Sequence, residues 1–286
     1  MNIYGKKINV LKANGEMVPF DAEKIRRSLR RVKAKPNVIE QIIEAVEREI
    51  YDGIPTSKLF KIVFSELKKT QKHVAGKYNL KRAIMELGPS GFPFEKFISA
   101  IWKARGYSVT TGVIVKGECI NHEVDVIANR GDQQEFIECK HHSFGGKVCD
   151  IKTALYVHAR YLDIQKKLLS DSAFSKTEFK GWLVTNTRFT ADAIKYAPCA
   201  GLGLLSWDFP PKKGLREQID RAGLHPITCL TSIPKNIKRR LMDNGITLCS
   251  DLRSNPQVLR RIGIADEKAQ KIMDEARAIC EVSAKK

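Results

Sequence analysis

The seven cysteines, at 119, 139, 149, 199, 229, 249 and 280, include no C-x-x-C pair. An odd, dispersed set in a chain of 286 residues excludes a disulfide framework and predicts reduced thiols. Cys119, His122, Cys139, His141, His142 and Cys149 supply the material for a zinc site, but their spacing fits no closed tetrahedral pattern. Apolar runs are short, and none approaches the roughly 20 residues that cross a bilayer. The opening Met1-Asn2-Ile3-Tyr4-Gly5-Lys6-Lys7 lacks the apolar stretch of a secretory signal. A soluble, cytoplasmic protein with no membrane partner is expected. Acidic residues are scarce, 32 against 50 basic ones for a net charge of +18. That balance favours a polyanionic partner.

The charge is unevenly spread. Residues 1–88 hold 19 Lys/Arg and 10 Asp/Glu, residues 89–211 hold 15 and 13, and residues 212–286 hold 16 and 9. A nearly neutral middle therefore lies between two basic flanks. A chain of this length folds as two or three domains, each with its own core.

The middle contains His122-Glu123-Val124-Asp125-Val126-Ile127-Ala128, a polar turn, then Phe136-Ile137-Glu138-Cys139-Lys140. Both runs read as strands, and alternation puts Glu138 and Lys140 on one side of the second. Two carboxylates can hold a Mg²⁺ ion, and a neighbouring ammonium can orient water or stabilise charge at phosphorus. Upstream, Phe94, Phe97, Ile98, Ile101 and Trp102 form one helical stripe ended by Gly106. Glu95 falls at the edge of that stripe, either reaching inward to the acids or simply favouring the helix dipole. The helix, the Gly106-Tyr107-Ser108-Val109 strand, the Asp125 strand and the Glu138-Cys139-Lys140 strand, in that order, resemble the Mrr-like branch of PD-(D/E)xK restriction endonucleases over residues 89–211. The resemblance implies a metal held by Asp125, Glu138 and the Cys139 carbonyl, with Lys140 positioning the attacking water and Glu95 assisting. After Lys140, His141 and His142 stand in a glycine-containing loop, where contact with phosphate and plain solvation are both open. Lys152 and Arg160, on a helix expected over 151–169, are read as exposed charges or as groups facing DNA.

Toward the N-terminus, residues 8–12 and 17–20 read as a hairpin turning at Asn14-Gly15, and Asp21 caps a following helix. Further helices are expected over 38–51, 57–69 with a cap near Thr56, and 78–87. These pieces resemble the ATP-cone, a nucleotide-sensing domain of ribonucleotide reductases and their repressors. Lys12 and Lys24 place two cations near a helix N-terminus, suited to phosphate, while Val10, Phe20 and Ile25 supply an apolar slot for a base. The resemblance makes Lys12, Lys24 and Thr56 nucleotide contacts. Two departures stand out: Ala13 where the family has arginine, and Phe60 where reductase cones often have histidine. Dimerisation or DNA contact without nucleotide is the other reading of this segment. The run Arg26-Arg27-x-x-Arg30-Arg31 is a solvated helix face or touches DNA backbone.

Past residue 170, Lys180-Gly181-Trp182-Leu183-Val184-Thr185-Asn186 and Gly203-Leu204-Leu205-Ser206-Trp207 read as strands around a helix over 190–197, a parallel addition to the sheet. Pro210-Pro211 marks a boundary. Short helices follow, and Leu259-Arg260-Arg261-Ile262-Gly263-Ile264 with the residues after it resembles half of a helix-hairpin-helix, alongside the alternative of a plain packing domain.

Together these readings give an α/β chain with a restriction-endonuclease-like sandwich core, a mostly helical ATP-cone carrying a β-hairpin, and a small all-helical C-terminal domain. The expected boundaries are 1–88, 89–211 and 212–286. The expected function is Mg²⁺-dependent cleavage of double-stranded DNA by a homo-oligomer, regulated by ATP or dATP. The rivals are a nucleotide-responsive DNA-binding regulator and a structure-specific repair nuclease.

Overall fold

A computed structural model describes residues 8–12, 14–88 and 90–281. Ala13, Pro89 and the first seven residues, on which parts of the sequence reading fall, lie outside the described residues. The chain divides into two compact units, one of residues 8–80, 229–244 and 249–281, the other of residues 81–228 and 245–248. The third segment of the sequence reading is thus shared between them.

In the first unit, β1 (Asn9–Leu11) pairs antiparallel with β2 (Met17–Pro19), Val10 opposite Val18. Gly15, at φ +84°, makes the turn that the Asn-Gly pair predicts. Helix α1 (Ala22–Arg31) starts at Asp21, whose carboxylate accepts the Glu23 N–H at 2.9 Å. The basic run on α1 is largely paired: Arg26 meets Glu40 at 2.8 Å and Arg30 meets Glu23 at 2.6 Å. Helix α2 (Pro36–Glu49) opens on proline, where a missing N–H costs nothing.

A short strand, β3 (Ile54–Pro55), pairs parallel with β1 and leads into α3 (Thr56–Thr70). Thr56 is therefore the first helical residue, not the expected cap. Pro55 holds the cap position in extended conformation and offers no side-chain acceptor. The closing helix expected over 78–87 is α5 (Leu80–Met85), and an additional helix that the sequence reading did not include, α4 (Lys72–Tyr78), precedes it with Asn79 as the break between them. Val10, Leu29, Ile42, Val46, Ile54 and Leu67 centre the core.

The second unit begins with α6 (Phe92–Ala104), whose stripe of Phe94, Phe97, Ile98, Ile101 and Trp102 is buried as expected. Gly106, at φ +89°, turns the chain into β4 (Ser108–Lys116). β4, β5 (Asn121–Arg130) and β6 (Gln133–Lys140) form an antiparallel meander. A short β7 (Val148–Cys149) precedes α7 (Ile151–Leu169), capped by the Asp150 carboxylate on the Thr153 N–H. β8 (Glu178–Thr185) then pairs parallel with β6. β9 (Arg188–Phe189) pairs with β7, and α8 (Ala191–Cys199) leads to β10 (Gly203–Leu205), parallel to β8. The five-stranded order is β10-β8-β6-β5-β4. Trp102 of α6 reaches Glu135 on one face of β6, and the Tyr161 ring of α7 meets Phe136 on the other. Successive residues of a strand face opposite ways, so the helices sandwich the sheet.

Helix α9 (Leu215–Ala222) ends this unit's helical part. The remaining helices are α10 (Lys235–Asp243), α11 (Cys249–Ser254), α12 (Gln257–Arg261) and α13 (Asp266–Cys280). Gly263, at φ +77°, turns α12 into α13. Helix α13 packs on α4, with Ile279 so close to Gly76 that any Cβ there would lie 2.7 Å from it. This packing joins the C-terminal helices to the cone. Among the described residues no helix is long and apolar enough to cross a membrane.

Candidate active site

Asp125 sits where the alternation of β5 slips. His122 bonds Asp163 of α7, and Val124 packs with Tyr161 and Ile164, so residues 122 and 124 face α7. Further along, Ile127 joins the same cluster, an odd-numbered position taking the face that even ones held. The change of phase falls at Asp125–Val126, across from Gly112, which lies between the pairs Thr111↔Val126 and Val113↔Val124 and adopts φ +61°. Asp125 therefore leaves the regular pleat, and its Oδ2 accepts the Cys139 N–H at 2.7 Å.

On β6, Glu138 and Lys140 share a face as alternation requires, with Lys140 Nζ 2.6 Å from Glu138 Oε1. The other Glu138 oxygen takes Arg160 Nη1 at 2.7 Å. Arg160 is thus not an exposed helix charge: its side chain is 18% exposed, and it also donates to the Glu123 carbonyl. Val157, Tyr161 and Ile164 are buried against the sheet, so Arg160, beside them on α7, is carried over the end of β6. Nothing local in the sequence tied it to Glu138. Lys152 is exposed.

The carboxylates crowd one another. Burial first, then the charges of Asp125, Glu123 and Glu138, lifts Glu95 to about 7. Burial and Glu138 lift Asp125 to about 6, against the pull of the Cys139 N–H and Lys140. Burial opposes the Lys140 charge, but the hydrogen bond to Glu138 and the nearby acids outweigh it, so Lys140 holds its proton more tightly than usual. Gly91 lets Glu95 fold back over the start of α6, since a Cβ at 91 would come within 2.7 Å of Glu95 Oε1. The other acid of β6, Glu135, belongs elsewhere: it accepts Trp102 Nε1–H at 2.6 Å and Tyr107 O–H at 3.1 Å.

The histidines after Lys140 are held by the protein. His141 Nε2 lies 2.9 Å from the Ile84 carbonyl, and Asn186 clamps both backbone groups of His142 at 2.8 Å. Among the described residues, no three His, Cys, Asp or Glu side chains close a metal site by themselves, and the zinc alternative finds no cluster. The set Asp125, Glu138 and Cys139 carbonyl is all oxygen, which is the donor type that Mg²⁺ takes while keeping several waters. Burial first, and then repulsion between the acids, penalises their charged forms, and a bound cation would offset both. Each Glu138 oxygen already accepts from one cation, and each keeps a second lone pair with which an ion could be bound.

In the first unit, all six residues expected to contact nucleotide line a single cavity of about 340 Å³: Val10, Lys12, Phe20, Lys24, Ile25 and Thr56. Lys12 meanwhile pairs with Glu16 at 2.9 Å. Phe60, the departure from histidine, lines the same cavity and stacks on Tyr78 at 5.3 Å between ring centroids. It enlarges the apolar part of the wall. Asp21 and Ser28 also line the cavity and had no signal in the sequence beyond their place around α1.

Comparison with known proteins places these parts in order. The ATP cone domain model matches residues 8–86, a restriction endonuclease model matches 88–208, and a model described as AF1548-like, C-terminal, matches 225–280. An uncharacterized protein of Archaeoglobus fulgidus is 34% identical over 183 residues, 64% of this chain and 99% of the relative. The crystal structure of a protein of unknown function, AF1548, superposes with a TM-score of 0.55 at 32% identity, covering 67% of this chain and 98% of that one. The transcriptional repressor NrdR of Rhodopseudomonas palustris is 35% identical over 72 residues, 22% of this chain and 45% of the repressor. The restriction endonuclease match supports a nuclease, and the cone match supports nucleotide regulation. The chain belongs to the AF1548-like family, with an ATP-cone domain set ahead of its restriction-endonuclease domain.

Proposed function

We propose that this protein is a Mg²⁺-dependent DNA endonuclease of the restriction type, regulated by ATP or dATP in its cone. The observation that carries the reading is the meeting of Asp125, Glu138 and Lys140 beside Glu95 at one end of the central sheet. Asp125, Glu138 and the Cys139 carbonyl would hold the ion. When bound, such an ion supplies a Lewis acid for the phosphate and makes a water more acidic. Lys140, which keeps its proton, donates: it orients water or a phosphate oxygen and does not serve as base. Arg160 holds one oxygen of Glu138 and so fixes the plane of the carboxylate that would face the ion. Glu95 is the acid whose protonation changes nearest neutrality. The substrate is double-stranded DNA, favoured by the charge of +18. Functional segments bounded near residues 88 and 211, a homo-oligomeric assembly and a cytoplasmic site of action complete the proposal.

Supercoiled plasmid tests it. Nicking is expected with Mg²⁺, none with chelator, and Lys140→Ala should lower the rate about 10²-fold or more while DNA binding stays within a few-fold. Undiminished nicking by Lys140→Ala would remove the assignment.

One observation favours a second reading, a nucleotide-responsive DNA-binding regulator that does not cut: both oxygens of Glu138 are held by cations. Gel shifts that respond to ATP, with no nicking under any divalent ion, would select it. Preference for flaps or junctions over plain duplex would instead mark a repair nuclease.

A further inference from the structure

The second unit contains another cavity, of about 400 Å³, well away from the acids. Glu95 lies in the first turn of α6 and Arg105 caps its other end, so about ten residues at roughly 1.5 Å rise put some 15 Å between them. Ile101, Leu205 and Trp182 give the cavity an apolar wall, and the Lys180 ammonium lies 4.9 Å from the Trp182 ring centroid. Lys213 and Arg221, both exposed, line it as well, and Arg105 stands inside.

Arg105 is arranged as a platform and not as an ion pair. Its guanidinium lies 4.3 Å from the Trp102 ring centroid and 5.9 Å from that of Trp182, and it donates to the Gln218 side-chain oxygen. A delocalised cation stacked beside indole rings is a surface for another planar group. The wall therefore suits a planar body together with an anionic head.

The geometry points to a second nucleotide site, distinct from the cone, that takes a nucleoside 5′-monophosphate with its base against Trp182 and Arg105 and its phosphate on Lys213 and Arg221. The size agrees, since ligand pockets start at roughly 300 Å³. A triphosphate is disfavoured by the single pair of cations outside.

Tryptophan fluorescence separates this site from the cone, because Trp102, Trp182 and Trp207 are the chain's three tryptophans and the cone has none. The full chain, without divalent ion, is titrated with AMP and dAMP, and in parallel with adenosine and with inorganic phosphate. Saturable quenching by the monophosphates is expected. The exposed double variant Lys213→Glu with Arg221→Glu should weaken it on the order of tenfold or more, and Trp182→Phe should remove most of the signal. Lys12→Glu with Lys24→Glu in the cone should leave it unchanged. Absence of quenching at millimolar monophosphate would overturn the site. So would equal response to phosphate or to adenosine alone, or full binding by the double variant. None of these outcomes bears on plasmid nicking, so this site and the cleavage reading stand or fall separately.

Discussion

At the scale of single residues, the acids at the end of the sheet hold the most consequential chemistry. Asp125 and Glu95 bind protons more tightly folded than unfolded, up to about 6 and about 7. Between pH about 4 and those values the unfolded chain has lost protons that the folded one retains, so these groups lower stability as pH rises through that window. Asp125→Asn removes its share. Without metal, the variant is expected to gain on the order of 1 kcal/mol over wild type at pH 8, after allowance for solvent screening, and nothing at pH 4. Urea midpoints at the two pH values check this, and Mg²⁺ should narrow the gap at pH 8 by stabilising only the wild type. Gly91 offers a cleaner probe. It already has an ordinary helical backbone, and the clash at a new Cβ is with the flexible end of Glu95. Gly91→Ala should leave the melting temperature nearly unchanged while displacing Glu95 and lowering nicking several-fold. A full-rate Gly91→Ala enzyme would exclude Glu95 from the reaction.

At the scale of elements, α7 ties the site to the sheet. Its Tyr161 packs over Gly181 of β8 so tightly that a Cβ there would stand 2.7 Å from the ring, and its hydroxyl donates to the Phe179 carbonyl at 2.9 Å. Gly181→Ala must push a buried ring, which costs about 1–3 kcal/mol. Calorimetry or urea unfolding would show it, and the shift of α7 should also loosen Arg160 from Glu138. The extent of α7 was readable, because its apolar period is local; the Asp150 cap was not part of that reading. The order and type of the core strands were readable for the same reason: alternation and turn residues lie within ten positions of each other. The two-residue β3 was not, since so short a strand exists only through its pairing with β1. The break at Asn79 was hidden because the residues on either side are all compatible with helix.

At the scale of the whole molecule, the chain carries the cone's cavity and the acid cluster at the end of the sheet in separate compact units. Ligand that binds only the folded cone raises its stability by RT ln(1 + [L]/Kd), about 2.7 kcal/mol at a hundredfold excess over Kd. ATP or dATP should therefore raise the melting temperature in a concentration-dependent way, and Lys24→Glu should abolish the rise. No shift with either nucleotide would reduce the cone to a packing or dimerisation module. The amino-acid sequence alone determined the types of the longer core elements, the lysine and acid positions of the core motif, and, with the family resemblance, six of the residues that line the cone's cavity. Each of these depends on period, spacing or a turn within reach along the chain. Only the tertiary structure decided that Arg160 grips Glu138, that Asp125 leaves the pleat across from Gly112, and that the C-terminal helices pack with the cone. Those outcomes depend on which residues, distant in sequence, are driven together when the helices bury their apolar faces, and no local pattern encodes that meeting.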